Sequence, residues 1–531
     1  VTSRIAALRW RDWRDDSDAA VLELTEALRT PCGEQHLRPI QAMAIREALQ
    51  VGGLLLNARV GAGKTLVAAL LATLYEDVRP LMIVPGGFDG KTDRELEVYR
   101  EHWNLSHQIQ IITYSDLARD VDERIFRAYE PGALICDEAD KLRRVSGASG
   151  SGTAKRVASY MAAKPDTMVF AMSGTLFKEG LKDYAHIANW ALKSAAPVPR
   201  LPVEIDCWHR GLKGAAGMWL KMRQALGIAN GADVRQAFRE RFFHTPGVII
   251  SVDQFNDVPL TVETVVLETG LEDVLQALYT TGETPDGLDV LEDGGDEADA
   301  GAGTTWAAER QIALGFYYRP DPPPPVPWLQ ARKAYAKLVR RMLASGEFNT
   351  ELQVRRWAER EQHPIWLKWK VTQPTFEPRF VPVWLNTRAL DYCKRWGREG
   401  GIVWTDHRAF AQRLAAETGW RLFGPGGVDS TGLPIELCTD RTIIASRQAN
   451  GVGRNLQRWC RGLITAIPGN GRDAEQLFGR QHREGQTRPV EMQILFGCRA
   501  HANDLRKVVS LSEQEAEEMG RQNKILTATW R

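Results

Sequence analysis

Residues 54–76 read LLLNARVGAGKTLVAALLATLYE. An apolar run feeds a glycine-rich turn, then a lysine and a threonine, then a helical pattern. Each residue type suits one task at that spacing. Gly61 and Gly63 let backbone N–H groups turn inward around phosphate oxygens, with the small Ala62 between them. Lys64 brings an ammonium to the β- and γ-phosphates, and Thr65 brings a hydroxyl to a magnesium ion. The helix that starts here adds the partial positive charge of its N-terminus. Ala58 stands where a glycine is commoner. Gly61, Ala62, Gly63, Lys64 and Thr65 are therefore expected to hold ATP.

Residues 133–142 read ALICDEADKL, an apolar strand ending in consecutive carboxylates. Asp137 is expected to hold Mg²⁺ and Glu138 to polarise the attacking water as general base. With the phosphate loop, the letters Asp137-Glu138-Ala139-Asp140 are similar to those of superfamily 2 ATPases. That resemblance implies roles for further positions in chain order. Gln41, within LRPIQ, resembles the adenine-reading glutamine, its amide offering a donor and an acceptor. Ser173-Gly174-Thr175 resembles the element linking nucleotide state to nucleic-acid grip. Pro85-Gly86-Gly87 and Thr113-Tyr114 follow strands where that family touches the nucleic-acid backbone.

A second set lies near the C-terminus. Residues 473–490 read DAEQLFGRQHREGQTRPV. Arg480 and Arg483 are three apart, so on a helix they project together. The spacing through His482, Gly485 and Gln486 resembles the last element of the Swi/Snf-like DNA translocases. The resemblance implies that Arg480 and Arg483 act as arginine fingers on the γ-phosphate, with Gln476 beside the nucleotide. Residues 443–457, IIASRQANGVGRNLQ, resemble the preceding element, with Ser446, Gly451, Gly453 and Asn455 matching. Arg447, Asn450 and Arg454 depart from its commonest letters. The segment 309–343 is similar in texture to compact phage and prophage members of the group.

The elements that must position these residues have three textures. From about 35 to 200, short apolar runs alternate with helical patterns, as expected of a parallel α/β sheet buried on both faces. The pattern returns over 386–515. The fold class expected is two RecA-like parallel-sheet P-loop domains. Between them, residues 201–385 read as a connector and a mainly helical insertion. It holds an acidic, glycine-rich stretch near 288–303, expected to be a loop, and a basic amphipathic helix over 328–345. Eight of the seventeen tryptophans fall between Trp306 and Trp404. Most are expected to be packing residues; the insertion itself is a candidate duplex grip or wedge. Residues 1–34 and 516–531 read as extensions.

Bulk composition narrows the classes. There are 68 basic against 67 acidic residues, so a passive, charge-driven nucleic-acid binder is disfavoured and any basic surface is local. The seven cysteines contain no C-x-x-C pair, which indicates neither a zinc knuckle nor a disulfide framework. No apolar run reaches the length of a membrane span, and the N-terminus has no signal core; a cytoplasmic protein, in a bacterium or phage-infected host, is expected. Together these readings imply an ATP- and Mg²⁺-dependent helicase or translocase on DNA. The DNA is expected to be duplex or branched and bound without sequence preference. No nuclease motif is seen, so cutting would fall to a separate nuclease, replication or recombination partner. An RNA helicase and a catalytically inactive nucleic-acid-binding scaffold are the alternatives.

Overall fold

A computed structural model describes residues 3–531 except 16, 60, 87–88, 121–123, 144, 146–151, 175, 177–179, 230, 252–257, 282–284, 286–302, 346–347, 349–350, 378, 452–453 and 521–522. The chain divides into two compact units. Unit 1 comprises Val1–Asp253, Gln330–Thr372 and Gln514–Arg521; unit 2 comprises Gln254–Leu329, Gln373–Glu513 and Gln522–Arg531.

Unit 1 is built on strands β1 (Leu54–Asn57), β2 (Pro80–Val84), β3 (Gln110–Thr113), β4 (Ala133–Asp137), β5 (Met168–Ser173) and β6 (Val248–Ile250). They form one sheet in the order β3-β2-β4-β5-β1-β6, every pair parallel. The apolar runs explain this. β1, β2 and β4 are buried at every position, which requires cover on both faces and so helical crossovers between parallel strands. Alternate residues serve opposite cores. Leu55, Ile83, Leu134 and Val169 enter one cluster, while Leu56, Met82, Ile135 and Phe170 enter the other. Because the strands are parallel, their C-terminal ends all lie along one edge.

Unit 2 repeats the plan. Strand β7 (Leu260–Val266) comes first; a two-stranded antiparallel ribbon of β8 (Phe316–Pro320) and β9 (Phe380–Trp384) follows. Then come β10 (Gly401–Thr405), β11 (Arg421–Phe423), β12 (Thr442–Ser446), β13 (Arg461–Ile464), β14 (Val490–Phe496) and β15 (Thr529–Trp530). The main sheet runs β11-β12-β10-β13-β14-β7-β15, again parallel throughout. Ile402, Trp404 and Ile443 face one core; Val403, Ile444 and Leu463 face the other.

The stretch read as connector and insertion takes part in both sheets: β6 closes one edge of the first and β7 is an inner strand of the second. Its basic helix is Val326–Ser345, followed by helices Glu351–Arg360 and Pro364–Thr372. Of the eight clustered tryptophans, Trp328, Trp366, Trp369, Trp396 and Trp404 are buried packing residues. The acidic stretch lies outside the described residues up to Gly303, where a helix begins. All seven cysteines are free thiols. No helix among the described residues is long and apolar enough to cross a membrane.

Candidate active site

The C-terminal edge of the unit 1 sheet gathers the first set of residues. β1 runs into the loop ending at Gly63, which caps helix Lys64–Leu74 in a left-handed conformation, φ 77°. Gly61 has φ 91°, again a region that favours glycine. The helix that meets this loop supplies its supports. Arg38 donates to the Gly61 carbonyl at 3.0 Å, and Gln41 Nε2 donates to the Ala62 carbonyl at 3.0 Å. Gln41 Oε1 accepts from the Arg38 backbone N–H. Both halves of the Gln41 amide are thus spent on backbone. A Cβ on Gly63 would collide with Gln41 Nε2, so close approach as well as φ requires glycine there.

Lys64 is 8 % exposed. Its ammonium donates to the carbonyls of Ala58 at 3.2 Å and Arg59 at 3.4 Å, and stands 3.8 Å from Glu138 Oε1. Thr65 Oγ1 donates to Asp137 Oδ2 at 3.3 Å. The other Asp137 oxygen accepts from the Glu138 N–H at 3.0 Å. Burial, and next the neighbouring Glu138 carboxylate, push the Asp137 carboxyl up to about 6, opposed by Lys64. Glu138 itself adopts φ 54°, an uncommon conformation for a residue with a Cβ.

β5 lies beside β4, in register Asp137 with Met172, and brings Ser173 to the carboxylates. Its hydroxyl lies 2.8 Å from Asp140 Oδ1 and 3.2 Å from Glu138 Oε2; its one hydrogen serves one acceptor at a time. The Gly174 N–H also donates to Glu138 Oε2 at 3.4 Å. Thr175 lies outside the described residues. Asp140 and Arg38 were missed as site residues by sequence reasoning. Asp140 was visible as the last letter of its motif, and Arg38 as the cation in LRPIQ.

Pro85 and Gly86 follow β2 on the same edge, and Gly86 packs so tightly on Ser115 that a Cβ would meet its hydroxyl. Gly87 lies outside the described residues. Thr113 caps helix Tyr114–Arg119: its hydroxyl donates to Asp116 Oδ2 at 2.7 Å and accepts from the Asp116 N–H at 3.0 Å. That bond to Thr113 is also the main reason the Asp116 carboxyl titrates below its usual range.

Unit 2 joins the second set. The expected helical placement of Arg480 and Arg483 is corrected: helix Gly471–Phe478 ends before them, and both lie in the turn that follows. Three polar side chains anchor that turn. Gln481 accepts from the Trp404 indole and donates to the Trp459 and Arg461 carbonyls. His482 Nε2 donates to the Val258 carbonyl at 2.6 Å, and Gln486 donates to the Gln457 and Gln481 carbonyls. Arg480 is 1 % exposed and ties the Gln476 carbonyl at 2.9 Å to that of Arg454 at 3.1 Å. Arg483, half-buried, reaches the same Arg454 carbonyl at 3.3 Å and the side chain of Asn455. Gln476 is buried in the helix before.

Ser446 caps the helix Arg447–Asn450, accepting from Ala449 N–H at 3.4 Å. Gly451 sits against the Arg447 carbonyl, and Gly453 lies outside the described residues. The departures from the commonest letters have uses within unit 2. Arg447 pairs with Asp406 at the end of β10. Asn450 donates to the Phe423 carbonyl at 2.9 Å, and Arg454 pairs with Glu436 at 3.0 Å.

Unit 1 thus gathers a glycine turn with its lysine, a hydroxyl–carboxylate pair of the kind a hard divalent cation takes, and a second carboxylate 3.8 Å from the lysine. No model of a known protein family matches the chain, and a search among curated proteins finds no match.

Proposed function

We propose that the protein is a nucleic-acid-dependent ATPase of the superfamily 2 type, with its two parallel-sheet units serving as RecA-like motor domains and DNA as the track. One observation carries the reading. Lys64 and Thr65 open the helix that follows β1, and Asp137, Glu138 and Ser173 come from the ends of β4 and β5, yet the five form one connected set: Thr65 to Asp137 at 3.3 Å, Lys64 to Glu138 at 3.8 Å, Ser173 to Glu138 at 3.2 Å.

The residues have complementary tasks. Gly61 to Gly63 present backbone N–H groups, and Lys64 exchanges its carbonyl acceptors for phosphate oxygens. Glu138 orients the attacking water and takes its proton as the new P–O bond forms and the γ-phosphoryl leaves the β-phosphate. Thr65 and Asp137 fit a magnesium ion, since their oxygens already lie together and the Asp137 carboxylate is buried beside that of Glu138. Such an ion supplies charge neutralisation of phosphate oxygens. Ser173, bound to Glu138 and Asp140, is placed to relay movement of β5 to the water-activating carboxylate. Of the two arginines, Arg480 is an internal tie. Arg483, less buried, is the one assigned to transition-state charge.

Steady-state ATPase rates with duplex DNA, single-stranded DNA and RNA test the proposal. Stimulation by DNA is expected. Stimulation by RNA alone would favour an RNA helicase, whose signature Asp137-Glu138-Ala139-Asp140 also resembles, and no hydrolysis with any of them would favour an inactive scaffold.

A further inference from the structure

The chain as a whole carries a net charge of +1, but its basic residues are not evenly spread. Residues 330–372 hold ten Lys and Arg against four Asp and Glu, a net of +6. These residues form a helical module within unit 1. In helix Val326–Ser345, Ala331, Tyr335 and Leu338 are buried; Tyr335 packs on Trp366 and Trp369 of the third helix, ring centroids 5.3 and 6.1 Å apart. Lys333, Lys337 and Arg341 recur every four residues on the opposite face, all exposed. Four residues advance a helix by about 6 Å, so the three cations span about 12 Å in a line. Arg356, Arg360 and Lys368 on the neighbouring helices are exposed as well.

The module is joined to the edge that bears the candidate site. Lys155, buried, places its ammonium 3.4 Å from the carbonyls of Leu343 and Phe348, a cation at a helix C-terminus. Two residues earlier, Thr153 Oγ1 donates to the carbonyl of Tyr114 at 3.4 Å, just beyond β3. The module therefore continues the C-terminal edge of the sheet.

We propose that the face of helix Val326–Ser345 carrying Lys333, Lys337 and Arg341 grips the phosphate backbone of a DNA duplex and extends the track-binding edge of unit 1. The inference rests on the DNA-motor reading. A basic amphipathic helix also suits an anionic membrane surface, but that mode inserts the apolar face, and here Tyr335 and Leu338 are already packed. The face bearing Lys333, Lys337 and Arg341 offers charge outward, which suits a sequence-independent polyanion.

The test is duplex affinity, by fluorescence anisotropy on the full chain, across a salt series. The triple variant Lys333→Gln, Lys337→Gln, Arg341→Gln is expected to flatten the dependence of log K on log salt by about 0.9 per contact, so by up to about 3. Its thermal melt should match the wild type, and the charge-preserving variant Lys333→Arg, Lys337→Arg, Arg341→Lys should keep the wild-type slope. A wild-type slope in the Gln variant overturns the grip while leaving the motor reading intact. So does a loss confined to binding of phosphatidylserine vesicles, or a slope change seen with duplex RNA and not with DNA. Failure of the wild type to bind any nucleic acid overturns both.

Discussion

Arg480 and Arg483 share an acceptor, their guanidiniums reaching the Arg454 carbonyl at 3.1 and 3.3 Å. They arrive from different environments, and truncation should separate their roles. Arg480→Ala takes its donor from the Gln476 carbonyl, leaves the Arg454 carbonyl to Arg483 alone, and opens a buried volume. A loss of about 2–4 kcal/mol in unfolding free energy is expected. Arg483→Ala, on a half-exposed residue, should cost under about 1 kcal/mol while lowering DNA-stimulated ATPase by roughly 10³-fold. Urea melts beside steady-state rates on both variants check this.

Lys64→Ala removes the ammonium from the phosphate loop. ATP hydrolysis is expected to fall by at least about 100-fold, while DNA affinity without nucleotide stays within roughly twofold, because Lys64 is buried in the loop. Hydrolysis at the wild-type rate would refute the phosphate-loop assignment.

Glu138→Gln keeps the shape of the residue and removes its basicity. Turnover is expected to drop by roughly 10²–10⁴-fold, with the affinity for a fluorescent ATP analogue retained. Because the Ser173 hydroxyl and the Gly174 N–H both lie against Glu138 Oε2, an amide oxygen in that place can still accept and the local fold should hold. Stopped-flow binding and phosphate release measured on the same preparation separate the two effects.

Glu518, in the segment of unit 1 near the C-terminus, supplies a pH test away from the site. Burial pushes its carboxyl up to about 8, with Asp183 adding to the shift and Gln514, Lys213 and Arg235 opposing it. The folded state therefore holds a proton that the unfolded chain releases near its ordinary value of 4.5. Stability from this group is present in full below that value and is lost as pH rises toward 8, at up to about 1.4 kcal/mol per pH unit. Glu518→Gln should flatten that part of the profile and be more stable than the wild type at pH 8. Denaturant midpoints at pH 5, 6, 7 and 8 would show it.

Legibility in the sequence followed the range of the interaction. The runs LLLN, PLMIV and ALICD announce buried parallel strands by composition alone, and Gly63-Lys64-Thr65 and Asp137-Glu138 are local patterns with local chemistry. Residues paired across long stretches of chain were not visible. β6 and β7 are short or alternating strands whose place comes from partners far away, β1 and β14. The pairing of Arg447 with Asp406 gives a reason for an unusual letter that sequence left unexplained. The end of a helix at Phe478, two residues before Arg480, is set by Gln481, His482 and Gln486 bonding to distant carbonyls, which helical spacing cannot foresee. Thr113 is similar: a capping bond to Asp116 claims the hydroxyl.

Through β6, Leu55, Leu56 and Asn57 pair with Val248, Ile249 and Ile250. The buried carboxylate of Glu47 accepts from the Gly247 N–H at 2.7 Å just before that strand. A fragment cut near residue 200, where the alternating sequence pattern ends, would lose both. β1, an apolar strand, would become an open edge able to recruit strands from other molecules, and such a truncation product would self-associate into aggregates. Any division of this polypeptide has to keep Val248–Ile250 with the first sheet.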